Sequence, residues 1–136
     1  MPALKTYHLF ISHAWQYNAD YYRLVEMLDA APYFSWKNYS VPQHDPLATR
    51  TDAGLERALQ RQIAPTHIVV IIAGMYAHYR EWLQKEIDMA VEMGKPIIGI
   101  KPRGQERIPK AVQEAARVVV GWSTTPIVDA IRQNTL

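Results

Sequence analysis

The sequence predicts an open α/β fold, five parallel strands with helices packed on both faces. Three observations carry that prediction. Short apolar, β-branched runs alternate with helical patterns from one end of the chain to the other. The run Ile68-Val69-Val70-Ile71-Ile72 has no polar position, which suits a strand buried on both faces. The length, 136 residues with 49% apolar and 21% charged side chains, is that of one ordinary globular domain.

Tyr7-His8-Leu9-Phe10-Ile11 reads as the first strand, closed by polar Ser12-His13. Tyr21, Leu24, Val25 and Leu28 then recur at i, i+3, i+4 and i+7, the stripe of an amphipathic helix over about Tyr17 to Ala31. Tyr33 to Tyr39 reads as a short aromatic strand. Tyr39 to Thr51 holds Pro42 and Pro46 without a clear period and reads as a long loop. Leu55, Ala58, Leu59 and Ile63 make a second helical stripe, stopped by Pro65. The third strand lies within Thr66 to Ala73. A third helix, from about Tyr79 to Met93, ends at Gly94, a residue type favoured just past a helix end. Pro96 to Ile100 is the fourth strand, Pro109 opens a short helix, and Arg117 to Gly121 is the fifth strand. Thr125-Pro126 reads as an N-cap followed by proline at the first helical position, opening a last helix to about Asn134. No repeat, low-complexity segment or linker interrupts this order, so residues 1–136 read as a single domain. In broad terms it is flavodoxin-like, a three-layer sandwich with strand order 2-1-3-4-5.

Composition excludes several functions. Cysteine is absent, which removes disulfides, cysteine-based zinc sites and thiol catalysis. His13, His44 and Asp45 lack any metal-ligand spacing, so no metal site is predicted. The 15 Lys and Arg against 13 Asp and Glu leave a net charge of +2, with the basic residues scattered, which argues against a nucleic-acid partner. No apolar run reaches the roughly 18 residues of a membrane span. Met1 to Tyr7 lacks the apolar core of a signal peptide, so a cytoplasmic protein is expected.

In open α/β sheets, ligands bind beyond the carboxyl ends of the strands, where the strand order reverses. Here that crevice falls between the first and third strands, lined by Ser12, His13, Ala14 and Trp15 on one side and Gly74, Met75 and Tyr76 on the other. Ser12 to Asn18 contains no glycine, so neither a phosphate-cradling loop nor a flavin site is expected there. Phospho-relay needs a carboxylate at the end of the third strand, where this chain has Ala73-Gly74. Trp15, Trp36 and Tyr39 offer flat faces either to a base or to the core.

The third helix carries the sharpest signal. At about 100° per residue, Leu83, Ile87, Ala90 and Gly94 share one face, whereas Glu81, Lys85, Asp88 and Glu92 gather opposite. Glu86 falls instead among Tyr79, Trp82, Ala90 and Met93, beside the apolar stripe. Such a carboxylate is partly desolvated, and its proton affinity rises unless a cation or a ligand hydroxyl meets it. The plain alternative is an edge glutamate that reaches water or pairs with Lys85 or Arg80.

Leu9-Phe10-Ile11-Ser12-His13 resembles the first-strand motif of TIR and TIR-like domains. Trp82-Leu83-Gln84-Lys85-Glu86-Ile87 resembles that family's third-helix motif, in which a tryptophan precedes a glutamate by four residues. The chain is most similar to the bacterial and archaeal TIR-like group that includes the signal-producing subunit of the Thoeris antiphage system. The resemblance implies cleavage of the nicotinamide–ribose bond, with NAD as substrate rather than cofactor and ADP-ribose or a cyclic isomer as product. Glu86 stands at the catalytic position. Phe10, Ser12 and His13 match the pocket residues of the first strand, and Trp15, Tyr39, Asp45 and Trp82 complete the expected pocket. The loop from Tyr39 would cover it and, over 39–51, meet a second copy or a partner effector protein. That loop reads Val41-Pro42-Gln43-His44-Asp45-Pro46, without the Arg-Asp and Pro-Gly pairs usual in TIR domains. Two other readings stand beside this one: a non-catalytic TIR-like module that binds nucleotides or proteins, and a nucleotide N-glycosidase or deoxyribosyltransferase.

Overall fold

The computed structural model describes residues 6–12, 19–39, 60–72, 80–101 and 110–135. In chain order these form β1 (Thr6–Ser12), α1 (Ala19–Ala30), β2 (Ser35–Asn38), a helical turn α2 (residues 60–63), β3 (Ile68–Ile72), α3 (Arg80–Glu92), β4 (Ile97–Ile100), α4 (Lys110–Ala115), β5 (Val118–Val120) and α5 (Thr124–Asn134). The strands make one sheet in the order β2-β1-β3-β4-β5, parallel throughout. This is the α/β, flavodoxin-like architecture expected from the sequence. Register sets Leu9 opposite both Asn38 and Ile68, Val69 opposite Ile97, and Ile98 opposite Val118.

The strand residues divide between two cores by the period of two that a pleated strand imposes. Leu9, Ile11, Ile68, Val70, Ile72, Ile98 and Ile100 face α1 and α5, where Leu24, Leu28, Ile127 and Ile131 meet them. Phe10, Val69, Ile71 and Ile97 face the other way, onto Ile63 of α2, Ile87 and Ala90 of α3, and Val112 of α4. All five residues of β3 are buried. Each such aliphatic side chain contributes about 1.5–3 kcal/mol on leaving water.

The ends of the elements follow local chemistry. Gly94 adopts φ 72° and closes α3. Its N–H reaches the Val91 carbonyl at 3.1 Å, and the Lys95 N–H reaches the Ala90 carbonyl at 2.9 Å. This paired cap needs a left-handed residue, which glycine supplies at least cost. Three side chains from different places meet the carbonyls that end α2. Thr66 Oγ1 donates to Ile63 at 2.6 Å, Lys95 Nζ donates to Ala64 at 3.0 Å, and His8 Nδ1 lies 3.2 Å from the Pro65 oxygen.

Two boundaries depart from the sequence reading. β2 begins at Ser35 rather than Tyr33, because Tyr33 has φ 57°, a left-handed conformation that no strand continues. α5 begins at Thr124 with Ser123 in the capping position, not Thr125. Pro126 is then the third helical residue, where its missing N–H is still one that no helical carbonyl would have received. Among the described residues, no helix is long and apolar enough to cross a membrane.

Gly99 shows why α4 lies so close to the sheet. A Cβ there would stand 3.0 Å from Val112 Cγ1 and 3.2 Å from Val119 Cγ2. Gly99→Val is therefore expected to destabilise the fold by about 1–3 kcal/mol through overpacking. Urea unfolding would show this as a lower midpoint with an unchanged slope.

Candidate functional site

The chain leaves β1 for β2 on one side and returns to place β3 on the other, so strand order reverses between β1 and β3. Ser12 pairs with Ile71, which brings the carboxyl ends of the two strands level. This is the position at which open α/β sheets take ligands. α3 follows β3 and packs on the Phe10 face of the sheet.

Glu86 lies six residues into α3, about 9 Å along its axis at 1.5 Å per residue. It is 1% exposed, the one charged residue buried to that degree among the described residues. The helical spacing accounts for this. Glu86 adjoins Ile87 and stands one turn before Ala90, both of which are buried against the sheet. A glutamate is almost never fully buried unless its carboxylate is met by something, and Glu86 does have an interaction within the fold. The sequence-based alternative of an edge glutamate reaching water is not what the helix presents.

Phe10 is fully buried in the same core as Ile87 and Ala90. Tyr39 stands just past β2 with its backbone tied to β1, its N–H donating to the Leu9 carbonyl at 2.9 Å. Its half-buried ring lies 5.2 Å from the ring of His8, and Lys37 Nζ stands 5.3 Å from its centroid. His8 is two residues before Phe10 and so faces the same side of the sheet. Phe10, the helix that carries Glu86 and the His8 ring beside Tyr39 thus lie on the same side of the sheet. Ser12 is the last residue of β1 and Trp82 lies in α3 one turn before Glu86. His13, Trp15 and Asp45 lie outside the described residues. Trp36 belongs to the opposite core, with its Nε1 donating to Asp29 Oδ1 at 2.8 Å.

Sequence reasoning missed a histidine pair. His8 and His67 stack with ring centroids 4.6 Å apart and planes 10° from parallel. The His8 N–H donates to His67 Nδ1 at 3.1 Å, and the His67 N–H donates to the His8 carbonyl at 2.7 Å. Each histidine immediately precedes the apolar run of its strand. That shared position, combined with strand adjacency, is the signal that could have found the pair.

The chain matches the family Thoeris protein ThsB, TIR-like domain, over residues 10–107. The match covers well over half of the sequence, and the chain belongs to this family. No curated protein matches. Among solved structures, a 3-dehydroquinate dehydratase-like protein from Bifidobacterium longum is similar at 13% identity and a TM-score of 0.48, over 95% of this chain and 94% of that one. Similarity at that level carries nothing about activity.

Phe10 supports both the sheet and the helix that carries Glu86. Phe10→Ala is expected to cost about 3–5 kcal/mol, against less than about 1.5 kcal/mol for a swap that nearly conserves volume, such as Phe10→Leu after repacking. Thermal unfolding of the two variants checks the difference.

Proposed function

We propose that this TIR-like chain consumes NAD in prokaryotic antiphage defence, in the cytoplasm, by breaking the bond between nicotinamide and ribose. The observation that carries the reading is the burial of Glu86, 1% exposed on α3, the helix that follows β3. Membership of the ThsB TIR-like family supports it.

The chemistry asks little of the protein beyond one carboxylate in a dry place. Nicotinamide is cationic while bonded to ribose and leaves as a neutral molecule, taking the bonding electron pair. The ribose carbon left behind has oxocarbenium character. The Glu86 carboxylate, hydrogen-bonded to ribose hydroxyls, stabilises that developing positive charge most strongly where water is excluded. Attack by water gives ADP-ribose, whereas attack by a hydroxyl or an adenine nitrogen of the same molecule gives a cyclic isomer. The pocket's folding of the substrate selects between them. Phe10, Ser12, His13, Trp15, Tyr39, Asp45 and Trp82 are assigned to substrate binding.

The burial of Glu86 also favours a second reading, a TIR-like module that binds a nucleotide or protein without chemistry. Purified protein incubated with NAD and, separately, with deoxynucleotides, followed by mass analysis of the products, decides among cleavage of NAD, cleavage of a nucleotide N-glycosidic bond, and binding alone. Glu86→Gln keeps the side-chain size but removes the charge. Its expected result is an unchanged circular dichroism spectrum with cleavage reduced by about 10²-fold or more. Retention of a tenth of the activity would set the catalytic assignment aside.

We assign the 39–51 segment as a contact surface for a second copy or a partner effector. It is rich in proline and carries Val41 and Leu47, apolar side chains that a lone loop buries poorly. Specific activity is expected to fall on dilution, and the double substitution Val41→Asp, Leu47→Asp to reproduce that fall at high concentration. Activity that stays flat over a wide dilution series, with a fully active double variant, means that the pocket is complete within one chain.

A further inference from the structure

A nucleotide brings phosphates, and their charge has to be met. Ser12 to Asn18, which ends β1 and follows it, contains no glycine, so the glycine-rich cradle of backbone N–H groups is not encoded there. The task falls to side chains. Among the described residues, two lysines stand toward the carboxyl ends of the strands that flank β1 and β3. Lys37 is on β2, outside β1, and Lys101 directly follows β4, outside β3. Lys95 and Arg117 precede β4 and β5 and so belong to the opposite, amino-terminal edge.

The ammonium of Lys37 is held in place. Its Nζ stands 5.3 Å from the centroid of the Tyr39 ring, within reach of a cation–π contact. Lys37 is level with His8 in the register, and Tyr39 follows two residues later on the same face. The lysine side chain therefore leans along β2 toward its carboxyl end. An edge strand often carries a lysine only to discourage pairing with another chain, and such a lysine reaches into water. This one is exposed but turned onto a ring. The ring in turn has a stiff backing. The Tyr39 N–H is tied to the Leu9 carbonyl at 2.9 Å, and the ring lies 5.2 Å from that of His8. His8 is stacked on His67 at 4.6 Å and joined to it by hydrogen bonds of 3.1 and 2.7 Å. A flexible four-carbon stem thus loses much of its freedom before a ligand arrives, which lowers the cost of ordering it on an anion.

We propose that Lys37 is a specificity-determining residue, its ammonium meeting the diphosphate oxygens of the nucleotide while Tyr39 holds it in position. The proposal rests on the NAD reading for the identity of the nucleotide, and adds to it a preference for phosphorylated ligands over nucleosides. Lysine suits the part, as a compact point charge with three donors that makes charge-assisted hydrogen bonds to phosphate. Its strand lies one spacing, about 4.8 Å, outside β1. A ligand that reaches from the crevice between β1 and β3 to Lys37 therefore crosses the end of β1, where Ser12 stands.

Calorimetric titration of the full chain with ADP and, separately, with adenosine tests this without any chemistry. ADP is expected to bind about tenfold or more tightly than adenosine, the advantage of one hydrogen bond between charged groups, and to lose that advantage as salt is raised. Lys37→Met keeps an unbranched stem and removes the charge. It should weaken ADP binding about tenfold and leave adenosine binding as it was, whereas Lys37→Arg should keep the preference. The position is exposed, so neither substitution threatens the fold. Absence of ADP binding, equal binding of ADP and adenosine, or an undiminished preference in Lys37→Met overturns the proposal. So does a preference lost in Lys101→Met and kept in Lys37→Met. Incubation with NAD separates this from the cleavage reading. An ADP preference that depends on Lys37, in a chain that leaves NAD intact, supports the anion contact and sinks the cleavage. Cleavage of NAD with a kcat/KM indifferent to Lys37→Met does the reverse.

Discussion

The parallel pairing of β1 with β3 is the constraint on which the rest of the molecule depends. Leu9 to Ser12 lie against Ile68 to Ile71, and neither strand has a wet face along its apolar stretch. Two dry faces demand two covering layers, so helices have to cross on both sides. Parallel strands also demand long crossovers, since no tight turn joins them. With β2 on one flank of β1 and β3 on the other, the order reversal falls between the pair. The helix leaving β3 then packs on the face of the sheet that holds Phe10, carrying Glu86 with it.

Much of this was legible in the sequence because the signals were local. A run such as Ile68 to Ile72 has one interpretation once its length and branching are considered. Glu86 was legible for the same reason: its angular position on α3 follows from counting along one helix. Boundaries were less so. Thr125-Pro126 carries the standard opening signal, yet the helix starts at Thr124, and proline is tolerated there because the N–H it lacks at the third helical position has no helical partner in any case. Tyr33 looks like strand sequence by its aromatic character, but Arg132, 99 residues away, holds its carbonyl in a turn. No local pattern contains that information.

The histidine pair belongs to the same class of nonlocal facts. His8 and His67 become neighbours only through register, and a pair of residues 59 positions apart is not a motif. The pair matters to the site because His8 touches Tyr39 on one side and the end of α2 on the other. Of the residues assigned to the pocket, Tyr39 is the one whose placement is explained by contacts across the sheet. Phe10 and Glu86 are explained by burial, each from its own element.

That double contact has a consequence for how the domain can vary. The connection over residues 40–59 leaves the sheet at Tyr39 and re-enters it through Pro65, and both feet stand on the same side chain, His8. Its span is therefore set by the sheet rather than by its own path. Doubling the length of a connection between fixed ends costs only about 0.6 kcal/mol in closure entropy. A change in the length of that connection therefore leaves its two anchors on His8, and the strand order they stand on, as they are.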